Sequence, residues 1–111
     1  MAGFNTEIGL QRGDDGESVV LETRPEHEVI PGTVHFAVLA TLAEVAAAES
    51  VGASVVPAQV SLNLLSRARP GRLESRGKLI RRGGRLAVAE GTVTQDGRPV
   101  AKATVTFALL Q

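Results

Sequence analysis

Apolar and polar positions divide the chain into three parts: a first third broken by polar turns, one long apolar stretch, and four alternating segments. Phe4 to Leu10 is a short mixed segment, and Gly13 to Gly16 is a polar turn. Ser18 to Thr23 carries Val19, Val20 and Leu21 and suits a strand, so the chain is expected to open with a hairpin. Arg24 to Gly32 contains Pro25 and Pro31 and reads as a loop without regular structure. The stretch VHFAVLATLAEVAAAES then predicts a helix from about Val34 to about Ser50, with Thr33 as N-cap and Gly52 as stop. It is apolar on nearly every side, which requires that other elements wrap it.

The wrapping material lies downstream. Ala58–Ser66, Leu73–Arg82, Arg85–Thr94 and Val100–Leu110 each read as a strand bounded by turn residues. Val60, Leu62 and Leu64 share one face of the first. Ala101, Ala103, Val105, Phe107 and Leu109 share one face of the last. Gly83-Gly84 suits a two-residue hairpin turn that needs positive φ, and Gln95-Asp96-Gly97 suits the next hairpin. The order β-β-α-β-β-β-β predicts an α+β domain over residues 1–111, an antiparallel sheet curled around one central helix.

Composition narrows the function. A chain of 111 residues with 43% hydrophobic content supplies one core. Twelve basic and twelve acidic residues cancel, and three Phe without Trp or Tyr leave no base-stacking platform, so neither nucleic acid nor an anionic membrane is an expected partner. The absence of cysteine removes thiolate chemistry and cysteine-ligated metals, and two His without suitably spaced carboxylates predict no metal site. The first ten residues lack a basic segment followed by an apolar one, and no apolar run is long enough to span a membrane, so a cytoplasmic protein is expected.

Within the apolar helix the ionisable residues are His35, Glu44 and Glu49. A carboxylate in an apolar helix is costly unless it faces an interface or does chemistry, so Glu44 is either a group at a subunit boundary or crevice or a general base or nucleophile with a raised pKa. Glu49, near the helix end, reads as a solvated surface group. The helix start offers the N–H groups of Val34, His35, Phe36 and Ala37 to a developing negative charge. His35 itself reads as a structural side chain bonding the preceding loop, and His27 as a surface or loop-fixing residue.

These residues carry a resemblance. Pro25–His27, then GTVH at 32–35, then LATLAE at 39–44 resemble hotdog-fold thioesterases of the phenylacetate-degradation type. In those a loop leads into G-x-x-H-G-G and an Asp or Glu follows nine residues after the His, the spacing of His35 and Glu44. VSLNLLSRARPG at 60–71 is similar to the family's strand ending in L-R-P-A-R-P-G, and RRGGRLAVAE at 81–90 to its following hairpin. The likeness runs from about Glu7 to Leu110. The family's paired glycines are Phe36 and Ala37 here, and its frequent loop Asn is Val29.

The resemblance implies a hotdog fold and hydrolysis of an acyl-CoA or other pantetheine thioester. Glu44 would be base or nucleophile, the Phe36 N–H would polarise the carbonyl, His35 would belong to the catalytic set and Ala37 would contact substrate. No cofactor is implied beyond coenzyme A as part of the substrate. Arg67, Arg69, Arg81, Arg82 and Arg85 read singly as solvated hairpin charges. Together they form an expected landing point for the CoA phosphates, with Arg82 and Arg85 named for that role. The alternative reading, prompted by Phe36, Ala37 and Val29, is a non-catalytic hotdog protein that binds an acyl-thioester or serves in assembly. A hotdog hydratase would carry D-x-N-x-x-H, which is not found.

Helix geometry adds an expectation of its own. Phe36 and Glu44 are eight residues apart, roughly 12 Å along a helix, so one carbonyl cannot lie about 3 Å from both. Two helices packed antiparallel about a two-fold axis would bring them together, which predicts a homodimer, or a tetramer built from such dimers.

Overall fold

The computed structural model describes residues 3–110, and it shows one long helix lying across an antiparallel sheet. In chain order the elements are α1 (Phe4–Glu7), β1 (Gln11–Arg12), β2 (Val19–Glu22), a 3-10 turn (Pro25–His27), β3 (Glu28–Ile30), β4 (Thr33–Val34), α2 (Phe36–Val51), β5 (Val55–Leu64), β6 (Arg72–Arg82), β7 (Leu86–Gln95) and β8 (Arg98–Leu109). Six strands form a sheet in the order β1-β2-β6-β7-β8-β5, and β3 pairs with β4 separately. The expected sheet around one central helix is therefore present.

Its opening differs from expectation. The segment from Phe4 is a single helical turn, and the opening hairpin shrinks to two paired positions, Gln11↔Val20 and Arg12↔Val19. The loop from Arg24 to Gly32 is more ordered than its prolines suggest. Pro25 starts the 3-10 turn, where its missing N–H costs nothing, and β3 then pairs with β4. This pairing also moves the helix cap. The Val34 N–H donates to the Ala68 carbonyl and the His35 N–H to the His27 carbonyl, which keeps both residues extended. The helix begins at Phe36, so His35, not Thr33, is the N-cap. Gly52 ends it as expected, in the left-handed conformation at φ 72.

The helix lies directly against the middle of the sheet because two glycines admit it. Gly77 and Gly91 are cross-strand partners on β6 and β7. A Cβ on Gly77 would lie 2.0 Å from the Ala46 carbonyl oxygen, and one on Gly91 would lie 1.9 Å from that of Ala43. Any side chain there would push helix and sheet apart. Beside them the buried Ser75 hydroxyl donates to the Leu42 carbonyl at 2.8 Å. Helix residues Leu39, Leu42, Ala43 and Ala46 complete the core with Leu73, Ala89, Val93, Ala103, Val105 and Phe107.

The two hairpin turns behave differently. Asp96 and Gly97 both have positive φ, 52 and 77, between the paired Gln95 and Arg98, the geometry of a tight two-residue turn. Gly83 and Gly84, expected to need positive φ, do not adopt it, and that turn closes by the Gly83 N–H donating to the Leu86 carbonyl. The alternation in β8 is as expected, with Ala101, Ala103, Val105 and Phe107 buried. In β5, Val60, Leu62 and Leu64 pair with Val105, Ala103 and Ala101 and so share the helix side of the sheet. Yet Val60 is 43% exposed and Leu64 55%, because the helix covers this edge strand only in part.

Candidate active site

The helix start is held by bonds that leave one donor open. Of the four N–H groups expected to point outward, Val34 and His35 are committed to Ala68 and His27, and Ala37 donates to His35 Nδ1 at 3.0 Å. Among the described residues only the Phe36 N–H of these four has no acceptor. His35 therefore acts through its cap: it accepts from the second turn position and fixes where Phe36 sits. His27 is buried, 4% exposed, and accepts from the Arg24 N–H through Nδ1 at 2.8 Å, so it is a loop-fixing residue and not a surface one. The Phe36 ring stacks on His35 at 4.8 Å and is 55% exposed.

Glu44 lies on the least covered side of the helix. Ala37, Ala40, Thr41, Glu44 and Ala48 follow the spacing of one helical face, and none of them is fully buried, whereas Leu42, Ala43, Ala46 and Ala47 on the sheet side are. Partial burial pushes the Glu44 carboxyl above the ordinary value of 4.5, and desolvation is the whole cause. Among the described residues no hydrogen bond or neighbouring charge offsets it. Glu49, expected to be solvated, is instead half-buried and paired with Arg12 at 2.7 Å.

A cleft of about 350 Å³ adjoins the helix start. Phe36, Leu39, Leu64 and Leu65 give it an apolar wall, and Ser66 and Arg67 also line it. The five arginines expected to cluster do not. Arg67 donates to the Gly32 carbonyl beside the helix start, and Arg69 lies where Gln95 bonds its backbone. Arg82 donates instead to the Val51 carbonyl at the other end of the helix, and Arg81 and Arg85 line a cleft at the β6–β7 turn. The length of β6, 11 residues or roughly 36 Å, separates the two groups. In one chain Arg82 and Arg85 are thus far from the Phe36 donor. Arg81, Arg82 and Arg85 lie close to Gly83-Gly84, and the long β6 strand carries that end away from Arg67 and Arg69.

Among the described residues no three His, Asp or Glu side chains converge as metal ligands would, and no helix is long and apolar enough to cross a membrane. Comparison with known proteins decides the family. Residues 23–108 match the acyl-CoA thioesterase N-terminal domain family. The chain belongs to that family.

As an acyl-CoA thioesterase family member the chain is a thioester hydrolase, and the solved structures agree with its hotdog fold. A Bacillus halodurans protein crystallised with CoA is 27% identical, over 96% of this chain and 76% of that one, with a TM-score of 0.82. A phenylacetic acid degradation-related protein of Ralstonia eutropha is 25% identical, over 95% and 88%, with a TM-score of 0.81. A Streptococcus mutans protein bound to acetyl CoA is 28% identical, over 84% and 79%, with a TM-score of 0.75. A search of curated proteins gives no match.

Proposed function

We propose that the protein hydrolyses an acyl-CoA thioester at a site shared by two copies of the chain, with Glu44 from one and the Phe36 N–H from the other. The observation that carries this reading is the pairing of one open donor at the helix start with one desolvated carboxyl on the open helix face. A raised carboxyl pKa suits a general base working near neutrality. Glu44 takes a proton from water as the water oxygen bonds to the thioester carbon. The carbonyl oxygen gains the negative charge and accepts from the Phe36 N–H. Collapse breaks the C–S bond, and the leaving thiolate takes the proton back from Glu44, giving a carboxylic acid and CoA.

Two features favour the shared site. The donor and carboxyl are roughly 12 Å apart along one helix, too far for one reacting carbonyl. The edge of β5 that faces away from β8 is unpaired among the described residues, and the strand VVPAQVSLNL bears no charge to guard it. Antiparallel pairing of two β5 edges would extend the sheet and give Val60 and Leu64 a second helix to pack against. The test is subunit mixing. Glu44→Gln and Phe36→Pro chains should each be inactive alone, and hybrid dimers should recover one working site of two. Verified hybrids of folded parents with no activity would overturn the shared site.

A further inference from the structure

The apolar cleft beside Phe36 does not end at Arg67. A second cleft, of about 490 Å³, shares Ser66 and Arg67 with it and continues to Arg69, Gln95 and Arg98. We infer that Arg67, Arg69 and Arg98 form the site for the nucleotide-end phosphates of coenzyme A, with the pantetheine arm lying along the apolar cleft toward Phe36. This rests on the hydrolase reading for the arm's direction, but the anion site stands on its own geometry.

Three guanidinium groups line this cleft and face a single carboxylate, that of Asp96. None of the three belongs to an ion pair among the described residues, and neither do Arg81, Arg82 and Arg85, but only the first three line a cleft that runs into the one beside Phe36. Unpaired guanidinium groups gathered around one concavity repel each other, and a phosphate relieves that repulsion while accepting from their planar forks. The backbone beneath them is already fixed. The Gln95 amide accepts from the Arg69 N–H at 2.9 Å and donates to the Arg69 carbonyl at 2.7 Å, which ties the loop before β6 to the β7–β8 turn that carries Arg98. The N–H groups of Leu65 and Ser66 both donate to the Val100 carbonyl, and the Val34 N–H donates to the Ala68 carbonyl. One run of backbone bonds thus connects the arginines to the helix start. Arg67 and Arg82 each spend one donor on a backbone carbonyl, Gly32 beside the helix start for Arg67 and Val51 at the far end of the helix for Arg82.

The test compares an Arg69→Gln/Arg98→Gln double variant with wild type on three thioesters of one acyl group: acyl-CoA, acyl-4′-phosphopantetheine and acyl-pantetheine. The KM for acyl-CoA is expected to rise roughly tenfold or more with kcat unchanged, since each charge-assisted bond lost weakens binding by about that factor. The KM for the other two should hold. An equal rise with acyl-4′-phosphopantetheine would assign the arginines to the phosphate that CoA shares with carrier proteins and overturn the nucleotide assignment. An equal rise with all three, or no rise, would make their role structural or nil. If wild type hydrolyses no thioester, the hydrolase reading fails separately. Calorimetric titration with adenosine 3′,5′-bisphosphate still judges the site: binding lost in the variant supports it, and equal binding in both overturns it.

Discussion

The two sides of helix α2 are made of similar residues and lead opposite lives. Toward the sheet, Ala43 and Ala46 press their carbonyls onto Gly91 and Gly77, with no room for one added carbon. Toward the open face, Ala37, Ala40 and Ala48 flank Glu44 and are not fully buried. Small residues on the first side serve close packing. On the second they leave space around an acid. A stability constraint and a chemical one thus sit back to back on one helix, and substitutions should separate them: changes on the sheet side should cost stability, and changes on the open side should cost activity.

The largest effect is expected at Glu44. Glu44→Gln keeps the shape and removes the base, so kcat for acyl-CoA should fall by about 10²- to 10⁴-fold. The acid limb of the wild-type pH–rate profile should lie above the ordinary carboxyl value, because burial raises this pKa. Stability follows the same shift. The folded protein holds the proton more tightly than the unfolded chain, so the contribution of Glu44 is present below 4.5 and is lost as pH rises through the raised folded value. Urea denaturation of wild type and variant across that window should show the variant gaining relative stability with pH. An unchanged kcat would remove Glu44 from the mechanism.

Next in size is the sheet side. Gly91→Ala forces a Cβ against the backbone oxygen of Ala43 and should cost about 3 kcal/mol, read from denaturant midpoints at matched protein concentration. A loss under about 0.5 kcal/mol would mean that the helix can lift from the sheet without penalty. Smaller is Phe36→Gly, which widens the cleft beside the open N–H and keeps the donor. Turnover of bulky acyl groups should rise several-fold relative to acetyl, and no shift in that ratio would exclude the ring as a steric limit. Smallest is Thr41→Ala on the open face, which removes a hydroxyl bond to the Ala37 carbonyl and should change stability by less than about 1 kcal/mol.

Much of this architecture was legible before the fold was seen, and the reasons differ by region. The apolar helix, its stop at Gly52 and the alternation of β8 follow from local periodicity. So does the isolation of Glu44 in an apolar run. Local pattern alone puts the helix cap at Thr33, and the structure has it two residues later at His35, because the bonds that hold Val34 and His35 extended come from Ala68 and His27. The seat at Gly77 and Gly91 was also missed. Its signal was a glycine within each of two strands that otherwise alternate, a pattern that marks close backbone approach.

The sequence by itself determined which segments must be buried and which residue types were available for chemistry, because periodicity and composition are properties of neighbours along the chain. Only the tertiary structure decided which N–H at the helix start is open and which side of the helix is uncovered. It also decided which arginines stand together. Those depend in part on bonds between residues far apart in the chain, such as Val34 to Ala68 and Arg67 to Gly32. The grouping of the arginines shows the difference most directly. The arginines around Gly83-Gly84 follow Arg67 and Arg69 closely in the chain, yet an extended strand of 11 residues carries the two groups to opposite ends of the sheet.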